Sequence, residues 1–157
     1  VDASVGDRAV PPGPGSLRRT VCRMPGAHDL VSRFYADMWN PFDVSVLDDL
    51  VTDDVRFRGS LGDDLVGREA LAGYVRGIQA AFPDFHNEVV ELLADQDRAA
   101  ARLRYTGTHR GEVLGVHGTG RRVSYDGAAF FTFEGDRVSA VWVLGDRWAL
   151  RQQLTSP

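Results

Sequence analysis

The sequence predicts an α+β fold, and three observations lead to this prediction. The chain has 157 residues, a length that fits one domain. Hydrophobic residues make up 43% of it, with eight Phe, four Tyr and three Trp, which is enough for a packed core and an apolar cavity. Helical patterns come first and strand patterns follow, unlike the βαβ alternation of a parallel sheet.

The start of the chain differs in composition from the remainder. In residues 1–26, Pro and Gly cluster in the run VPPGPG and no hydrophobic period is sustained. Segments of this composition do not build an element of a core. We therefore expect an N-terminal tail over residues 1–26 and one folded domain over residues 27–157.

Four segments carry the patterns of helices. From His28 to Trp39 apolar residues recur at intervals of three and four, and a shorter pattern covers Val44 to Leu50. A third helix is predicted from Arg68 to Ala81, and Pro83 blocks its continuation. A last short helix is predicted after Asp146.

Strand patterns begin with a segment that contains Val55 and Phe57 and dominate the second half of the chain. The run EGD at residues 134–136 is a hairpin signal between the last two strands. Because short turns join successive strands, we expect an antiparallel meander. The strands of the second half are predicted at Phe85–Leu93, Arg98–Thr106, Arg121–Phe133 and Arg137–Leu144.

Charge and cysteine content exclude several classes of protein. The net charge is -4 with acidic and basic residues interspersed, so we expect no nucleic-acid partner. No apolar run approaches the roughly 18 residues of a spanning helix, so we expect no membrane partner and a soluble protein. Cys22 is the only cysteine, which indicates neither a disulfide framework nor a zinc site and favours a cytoplasmic location. No two histidines and a carboxylate share a metal-ligand spacing, and we predict no metal.

Four stretches of the sequence resemble one known family. They are GREALAGYVRGIQAAFPDFH from Gly67, GTHRGEVLGVHGTGRRVSYDG from Gly107, FEGDRV from Phe133 and VWVLGDRWALRQQL from Val141. Together they resemble the SnoaL-like polyketide cyclases of the NTF2-like superfamily over roughly residues 29–154. The resemblance implies a cone in which a curved antiparallel sheet packs on three helices and encloses a ligand pocket. It also implies activity without a cofactor.

The resemblance implies a mechanism for which this sequence lacks the catalytic residues. Family members close a polyketide ring by intramolecular aldol condensation, with an Asp on the last strand as acid and base and a His nearby. These positions correspond here to Val143 and Ala129. Neither side chain can transfer a proton, a function typically worth about 10²- to 10⁴-fold in rate. We therefore expect the usual acid/base mechanism to be absent.

The family's pocket positions and the alternation of the strands predict the residues that contact substrate. The register of the long strand after Arg121 places alternate residues on one face of the sheet, and the resemblance assigns that face to the pocket. The alternative is that these side chains are ordinary core. The predicted substrate-binding residues are Trp39, Phe57, Tyr74, Tyr125, Ala129, Phe131 and Val143.

Three residues are candidates for catalysis. Tyr74 is the polar residue among the helix and first-strand pocket positions. His109 could shuttle a proton near neutral pH, or it could be a loop histidine that packs against backbone. Asp146 follows the last strand and could supply a carboxylate at the end of the pocket, although Asp at this position also suits a helix N-cap.

These observations predict a cofactor-independent cyclase of an apolar, polyketide-type substrate, as in antibiotic biosynthesis. Its rate would come mainly from holding the substrate in a closing conformation, as in a cycloaddition or another ring closure. A non-catalytic small-molecule binding protein is the alternative, and an isomerase or epoxide hydrolase, which needs a buried carboxylate, is the second. We also expect a homodimer through the outer face of the sheet, where Trp142 and Arg104 are predicted to lie.

Overall fold

The computed structural model describes residues 26–156, so the predicted tail lies almost entirely outside the described residues. The described part begins with helix α1 (Ala27–Arg33), which continues without a break as a π-helical segment (Phe34–Trp39). A 3₁₀ turn (Val44–Val46) then leads into the short helix α2 (Leu47–Leu50). The first two predicted helices are therefore confirmed, with a wider turn in the first than the sequence indicated.

The π-helical segment turns one buried face of the first helix toward the sheet. Its wider turn is visible at its end, where the N–H of Asn40 donates to the carbonyl of Tyr35 over 2.9 Å, five residues back. Segments of this kind are uncommon and occur frequently at functional sites. Phe34, Tyr35 and Trp39 are each at most 5% exposed.

Two further helices complete the helical layer. Helix α3 (Arg68–Ala81) follows the prediction and buries Leu71, Val75 and Ile78, which are spaced by three and four residues. Its start is fixed by Arg68, which donates from Nη2 to the carbonyl of Val51 over 2.7 Å. Helix α4 is the predicted C-terminal helix and covers Arg147–Thr155. None of the helices in residues 26–156 is long and apolar enough to cross a membrane.

Six strands form a single curved, open sheet in the order β2-β1-β6-β5-β4-β3. The five predicted strands are present, and the structure adds β2, which the sequence analysis missed. The strands are β1 (Val51–Arg58), β2 (Asp64–Val66), β3 (His86–Ala94), β4 (Arg98–Thr108), β5 (Arg122–Glu134) and β6 (Arg137–Gly145).

One strand pair departs from the expected antiparallel sheet. Strands β3 to β6 form the predicted meander, but β1 pairs with β6 in parallel, with Phe57 opposite Val141. No short turn joins these two strands, so local turn chemistry does not set their relative direction. The fold class is α+β as predicted, with one parallel pair inside a mainly antiparallel sheet.

Alternation along the strands separates the two faces of the sheet. On β4, Leu103 and Tyr105 are buried beneath the helices, whereas Arg102 and Arg104 are exposed on the opposite face. The outward position of Arg104 was predicted, and the period of two along a strand accounts for the other three residues. Phe131 on β5 anchors the helical layer, because the ring of Phe34 packs against it edge-on at 5.3 Å.

Candidate functional site

A cavity lies between the helices and the concave face of the sheet. About 340 Å³ of space lies between its walls, part of it open to solvent, but the centre of a water molecule fits in only about 20 Å³. The walls therefore stand close together, and a drug-sized ligand would have to displace side chains on entry. The lining residues are Phe34, Tyr35, Trp39, Phe57, Ser60, Tyr74, Ile78, Phe85, Asn87, Tyr105 and Val143.

Three aromatic rings from three different elements form one wall of the cavity. Trp39 of the π-helical segment, Phe57 of β1 and Tyr74 of α3 are in mutual contact. Their ring centroids are 6.0 Å apart for Trp39 with Phe57, 6.0 Å for Trp39 with Tyr74 and 5.3 Å for Phe57 with Tyr74. These separations suit tilted and edge-on packing of aromatic rings.

The hydroxyl of Tyr74 is the most distinctive polar group of this wall. Tyr74 Oη is enclosed and has no hydrogen-bond partner within residues 26–156. Burial raises the pKa of Tyr74 to about 12, and the nearby Leu61 backbone and Ser60 hydroxyl oppose the shift without meeting hydrogen-bond geometry. A side chain at Gly59 would clash with Tyr74 Oη, so this glycine makes room for the hydroxyl. The phenol is therefore neutral near pH 7, and no group in the described residues meets the geometry to accept its proton.

All four tyrosines of the chain gather around this cavity. Tyr35 and Tyr105 line it with Tyr74, and Tyr125 packs against Tyr105 with ring centroids 4.9 Å apart. Burial raises the pKa of each of them above its ordinary value. A side chain at Gly127 would meet the Tyr105 ring, so a second glycine accommodates a second tyrosine.

The side chains that line the cavity are uncharged. Its polar side-chain groups are the tyrosine hydroxyls, the hydroxyl of Ser60, the carboxamide of Asn87 and the indole N–H of Trp39. No Asp, Glu, Arg or His among the described residues lines it. Such a site can bind an apolar molecule, orient it and donate hydrogen bonds to a carbonyl oxygen, but it holds no general base for proton abstraction near pH 7.

The structure brings together four of the predicted substrate-binding residues. Trp39, Phe57, Tyr74 and Val143 all line the cavity. The other three, Tyr125, Ala129 and Phe131, are buried on the same concave face but lie outside the lining. Strand alternation thus identified the correct face, but not how far along it the cavity extends.

His109 lies apart from the cavity, in the connection between β4 and β5. The side chain is fully buried, and the backbone N–H of Thr119 donates to Nδ1 over 3.2 Å. The ring also packs on Phe82 with centroids 5.4 Å apart, and burial lowers the pKa of His109. These contacts match the loop-packing alternative for His109 and place no cavity group beside it.

Asp146 caps helix α4. Its Oδ1 accepts a hydrogen bond from the N–H of Ala149 over 2.8 Å, and the residue is exposed. This is the N-cap geometry that the sequence allowed as the alternative to a pocket carboxylate. Asp146 also lies outside the cavity lining.

Sequence reasoning missed four polar lining residues. Tyr35 and Tyr105 both carried a usable signal, because Tyr35 lies on the apolar stripe of the first helix and Tyr105 alternates with exposed arginines. Ser60 and Asn87 carried none, since one lies in a turn and the other at the start of an edge strand.

Comparison with known proteins agrees with this architecture. The chain is similar to a SnoaL-like polyketide cyclase from Agrobacterium tumefaciens, at 27% identity and a TM-score of 0.73 over 83% of this chain and 99% of that one. It is also similar to IdmH from Streptomyces antibioticus, provisionally named a polyketide cyclase, at 26% identity and a TM-score of 0.70 over 81% and 96%. AclR from Streptomyces galilaeus, provisionally named a hydroxylase, shares 29% identity with a TM-score of 0.68 over 82% and 80%.

Comparison of sequences alone gives one clear result. No curated protein sequence matches the chain. The family model described as SnoaL-like polyketide cyclase matches residues 29–154, which span nearly all of the described structure. The helices and the curved sheet are arranged as in its structural relatives, and the chain belongs to the SnoaL-like polyketide cyclase family.

Proposed function

We propose that this protein is a cofactor-independent cyclase that closes a ring in an apolar, polyketide-type molecule during natural-product biosynthesis. Family membership and the aromatic cavity support the substrate class. The observation that carries the proposal is that neutral groups alone line the cavity within residues 26–156. Ring closure here would proceed by holding the substrate in a folded conformation.

The cavity lining within residues 26–156 holds no base, which limits the ring-closing reactions that the site can catalyse. An aldol closure needs a group that removes a C–H proton, and the family positions for that group are Val143 and Ala129. An intramolecular cycloaddition, or the addition of a hydroxyl group to a conjugated alkene, forms the ring without prior carbanion formation. The lining therefore supports these two closures over an aldol condensation. It gives no support to an isomerase or epoxide hydrolase, which requires a buried carboxylate.

Conformational organisation can supply much of the rate. Correct positioning of two reacting groups removes in favourable cases about 7 to 11 kcal/mol of barrier. The close walls of the cavity favour a compact, folded substrate over an extended one. The free hydroxyl of Tyr74 adds a hydrogen bond to a carbonyl oxygen on the reacting alkene, which makes that alkene more electrophilic.

Incubation with a linear substrate tests the proposal. The substrate is a neutral polyketide-type chain that carries a diene and a conjugated enone, and the products are separated by chiral chromatography. We expect one cyclised stereoisomer to form faster with the protein than in buffer. The Trp148→Phe variant is the matched control, because Trp148 is 71% exposed on α4 and should leave this rate unchanged.

A different outcome would replace the proposal. Neutral chains designed for either type of closure could bind to the protein and be recovered unchanged. That result would show that the protein is a binding protein and not an enzyme. Equal amounts of the product stereoisomers with and without the protein would likewise contradict templating. The experiment therefore distinguishes a cyclase from a non-catalytic binding protein.

A further inference from the structure

The chain has two asparagines, and they bond to each other across the fold. Asn40 follows the π-helical segment, and Asn87 lies at the start of the edge strand β3 and lines the cavity. Asn40 Oδ1 accepts from the backbone N–H of Asn87 over 2.8 Å, and Asn40 Nδ2 donates to the backbone carbonyl of Asn87 over 3.2 Å. Asn40 thus bonds to the free edge of β3 as a neighbouring strand would.

These bonds also determine how the carboxamide of Asn87 is turned. A backbone N–H can only donate and a carbonyl can only accept, so both side-chain atoms of Asn40 are assigned without ambiguity. Asn87 Nδ2 donates to the same Asn40 Oδ1 over 3.2 Å. Its Nδ2 therefore faces Asn40, and its Oδ1 is the atom left to meet a ligand.

A buried amide oxygen in an apolar cavity is costly unless something bonds to it. Asn87 is only 5% exposed, and its neighbours in the lining include Phe85 and Tyr105. We propose that Asn87 Oδ1 selects ligands that carry a hydroxyl donor, and that Asn40 is the positioning residue that turns this oxygen into the cavity. The inference rests on the proposed function in that it takes the cavity to be the ligand site.

Two polar groups of the cavity together specify the class of ligand more closely. Tyr74 Oη offers an unused donor in the same cavity in which Asn87 offers an acceptor. A matching ligand carries both a hydroxyl group and a carbonyl group on an otherwise apolar frame. An ionised carboxylic acid is excluded as a ligand of Asn87 Oδ1, because two acceptors would face each other without a proton.

A matched pair of small probes tests the hydroxyl preference. The probes are p-cresol, which carries a hydroxyl and is neutral at pH 7, and 4-methylanisole, which has a methyl group in place of that proton. Trp39 lines the cavity, so its fluorescence reports occupancy once Trp142 and Trp148 are replaced by Phe. The measured quantity is the ratio of the two dissociation constants, which cancels the general effect of a substitution on cavity shape.

We expect the preference for p-cresol to fall about 3- to 10-fold in Asn87→Leu, the loss that one hydrogen bond accounts for. Asn40→Leu should lower it similarly, because Asn87 is then free to turn. Asn40→Asp should retain more of the preference than Asn40→Leu, since a carboxylate still accepts from both donors of Asn87 although it loses the bond to the Asn87 carbonyl. His86→Leu is the matched control, because His86 is exposed beside Asn87 and should keep the preference.

Three results would overturn the inference. The first is an unchanged ratio in Asn87→Leu, and the second is equal loss of preference in Asn40→Asp and Asn40→Leu, which would make Asn40 a clamp on the strand alone. The third is failure of both probes to quench Trp39 fluorescence at millimolar concentration. Because binding and not turnover is measured, a protein that keeps the hydroxyl preference but closes no ring would contradict the proposed function and leave this inference intact.

Discussion

The aromatic residues on the two faces of the sheet differ in their exposure to solvent. On the concave face Tyr105 and Phe131 are at most 3% exposed, because the helices cover them. On the convex face Phe130 is 51% exposed and Trp142 is 44% exposed, and the two rings pack on each other with centroids 5.9 Å apart. Strand alternation assigns a side chain to a face, but only the helical layer decides whether that face is covered.

The convex face is itself divided. Toward β3 it carries ion pairs, Arg102 with Glu91 at 3.4 Å and Arg104 with Asp126 at 3.3 Å. Its exposed apolar side chains include Phe130 on β5, Trp142 and Leu144 on β6, and Leu93 on β3. A large exposed apolar patch with a polar rim is typical of a protein interface. The comparison predicts that one face binds a small molecule and the other binds a second copy of the chain.

The largest expected effect concerns that second copy. We expect a dimer at micromolar concentration and expect Trp142→Asp to raise its dissociation constant by at least about 30-fold, since a central aromatic residue contributes about 2 kcal/mol or more. The substitution also removes the ring beneath the Arg58 guanidinium, which lies 5.2 Å from its centroid. Light scattering gives the mass, and Trp142→Phe should retain the dimer. A monomeric mass for the unaltered chain would refute the prediction.

The next effect compares neighbouring residues that face opposite ways. Ala129 is fully buried on the concave face, whereas Ala128 faces outward. We expect Ala129→Phe to overpack the core by about 1 to 3 kcal/mol and lower the melting temperature by about 3 to 10 °C. Ala128→Phe should change it little. If the Ala129→Phe variant keeps its melting temperature but loses turnover, Ala129 lies next to the space that the ligand occupies. That result would support the prediction that Ala129 contacts substrate.

A smaller effect is expected at the cavity wall. Tyr74→Phe removes the free donor and keeps the ring, so kcat should fall by about 10-fold and by no more than about 10²-fold. Gly59→Ala should produce a comparable loss by displacing the hydroxyl that it adjoins. Steady-state kinetics on the cyclisation substrate measure both variants. A fall well beyond about 10⁴-fold in Tyr74→Phe would show that Tyr74 transfers a proton.

The smallest effect is a pH profile that stays flat. Because burial raises the pKa of Tyr74 to about 12, the phenol remains protonated and kcat should vary less than about twofold between pH 7 and 9. The same shift stabilises the fold below the unfolded tyrosine pKa near 10, and this contribution is lost as the pH rises toward 12. Chemical unfolding at pH 8 and pH 11 measures the loss. A kcat that follows an ionisation near pH 7 would reveal a base in the site.

The local parts of this molecule were predictable from sequence. The stripe on α3 and the alternation of Tyr105 with Arg104 depend on neighbours in the chain, and both match the structure. Strand β2 was missed because three residues, of which Asp64 and Val66 are exposed, carry no readable pattern. The π-helical turn was missed because an ordinary helix buries the same residues.

The site depended on contacts that sequence spacing does not encode. The resemblance placed Trp39, Phe57, Tyr74 and Val143 correctly at the cavity. The bond between Asn40 and Asn87 joins residues 47 positions apart, and neither has a local signature. The space at Gly59 for the Tyr74 hydroxyl also appears only when β1 and α3 come together. Periodicity therefore identifies faces, and the polar details of the cavity come from tertiary packing.

The parallel pairing of β1 with β6 has a consequence for synthesis on the ribosome. β1 leaves the exit tunnel before its partner, because β2, α3 and the strands β3 to β5 lie between β1 and β6 in the sequence, and chains grow at about 5 to 20 residues per second. Until β6 arrives, β1 and β2 form a two-stranded ribbon, which is marginally stable at best in water. The apolar side chains of β1 therefore stay unprotected until β6 has been synthesised, a period in which a chaperone would limit aggregation.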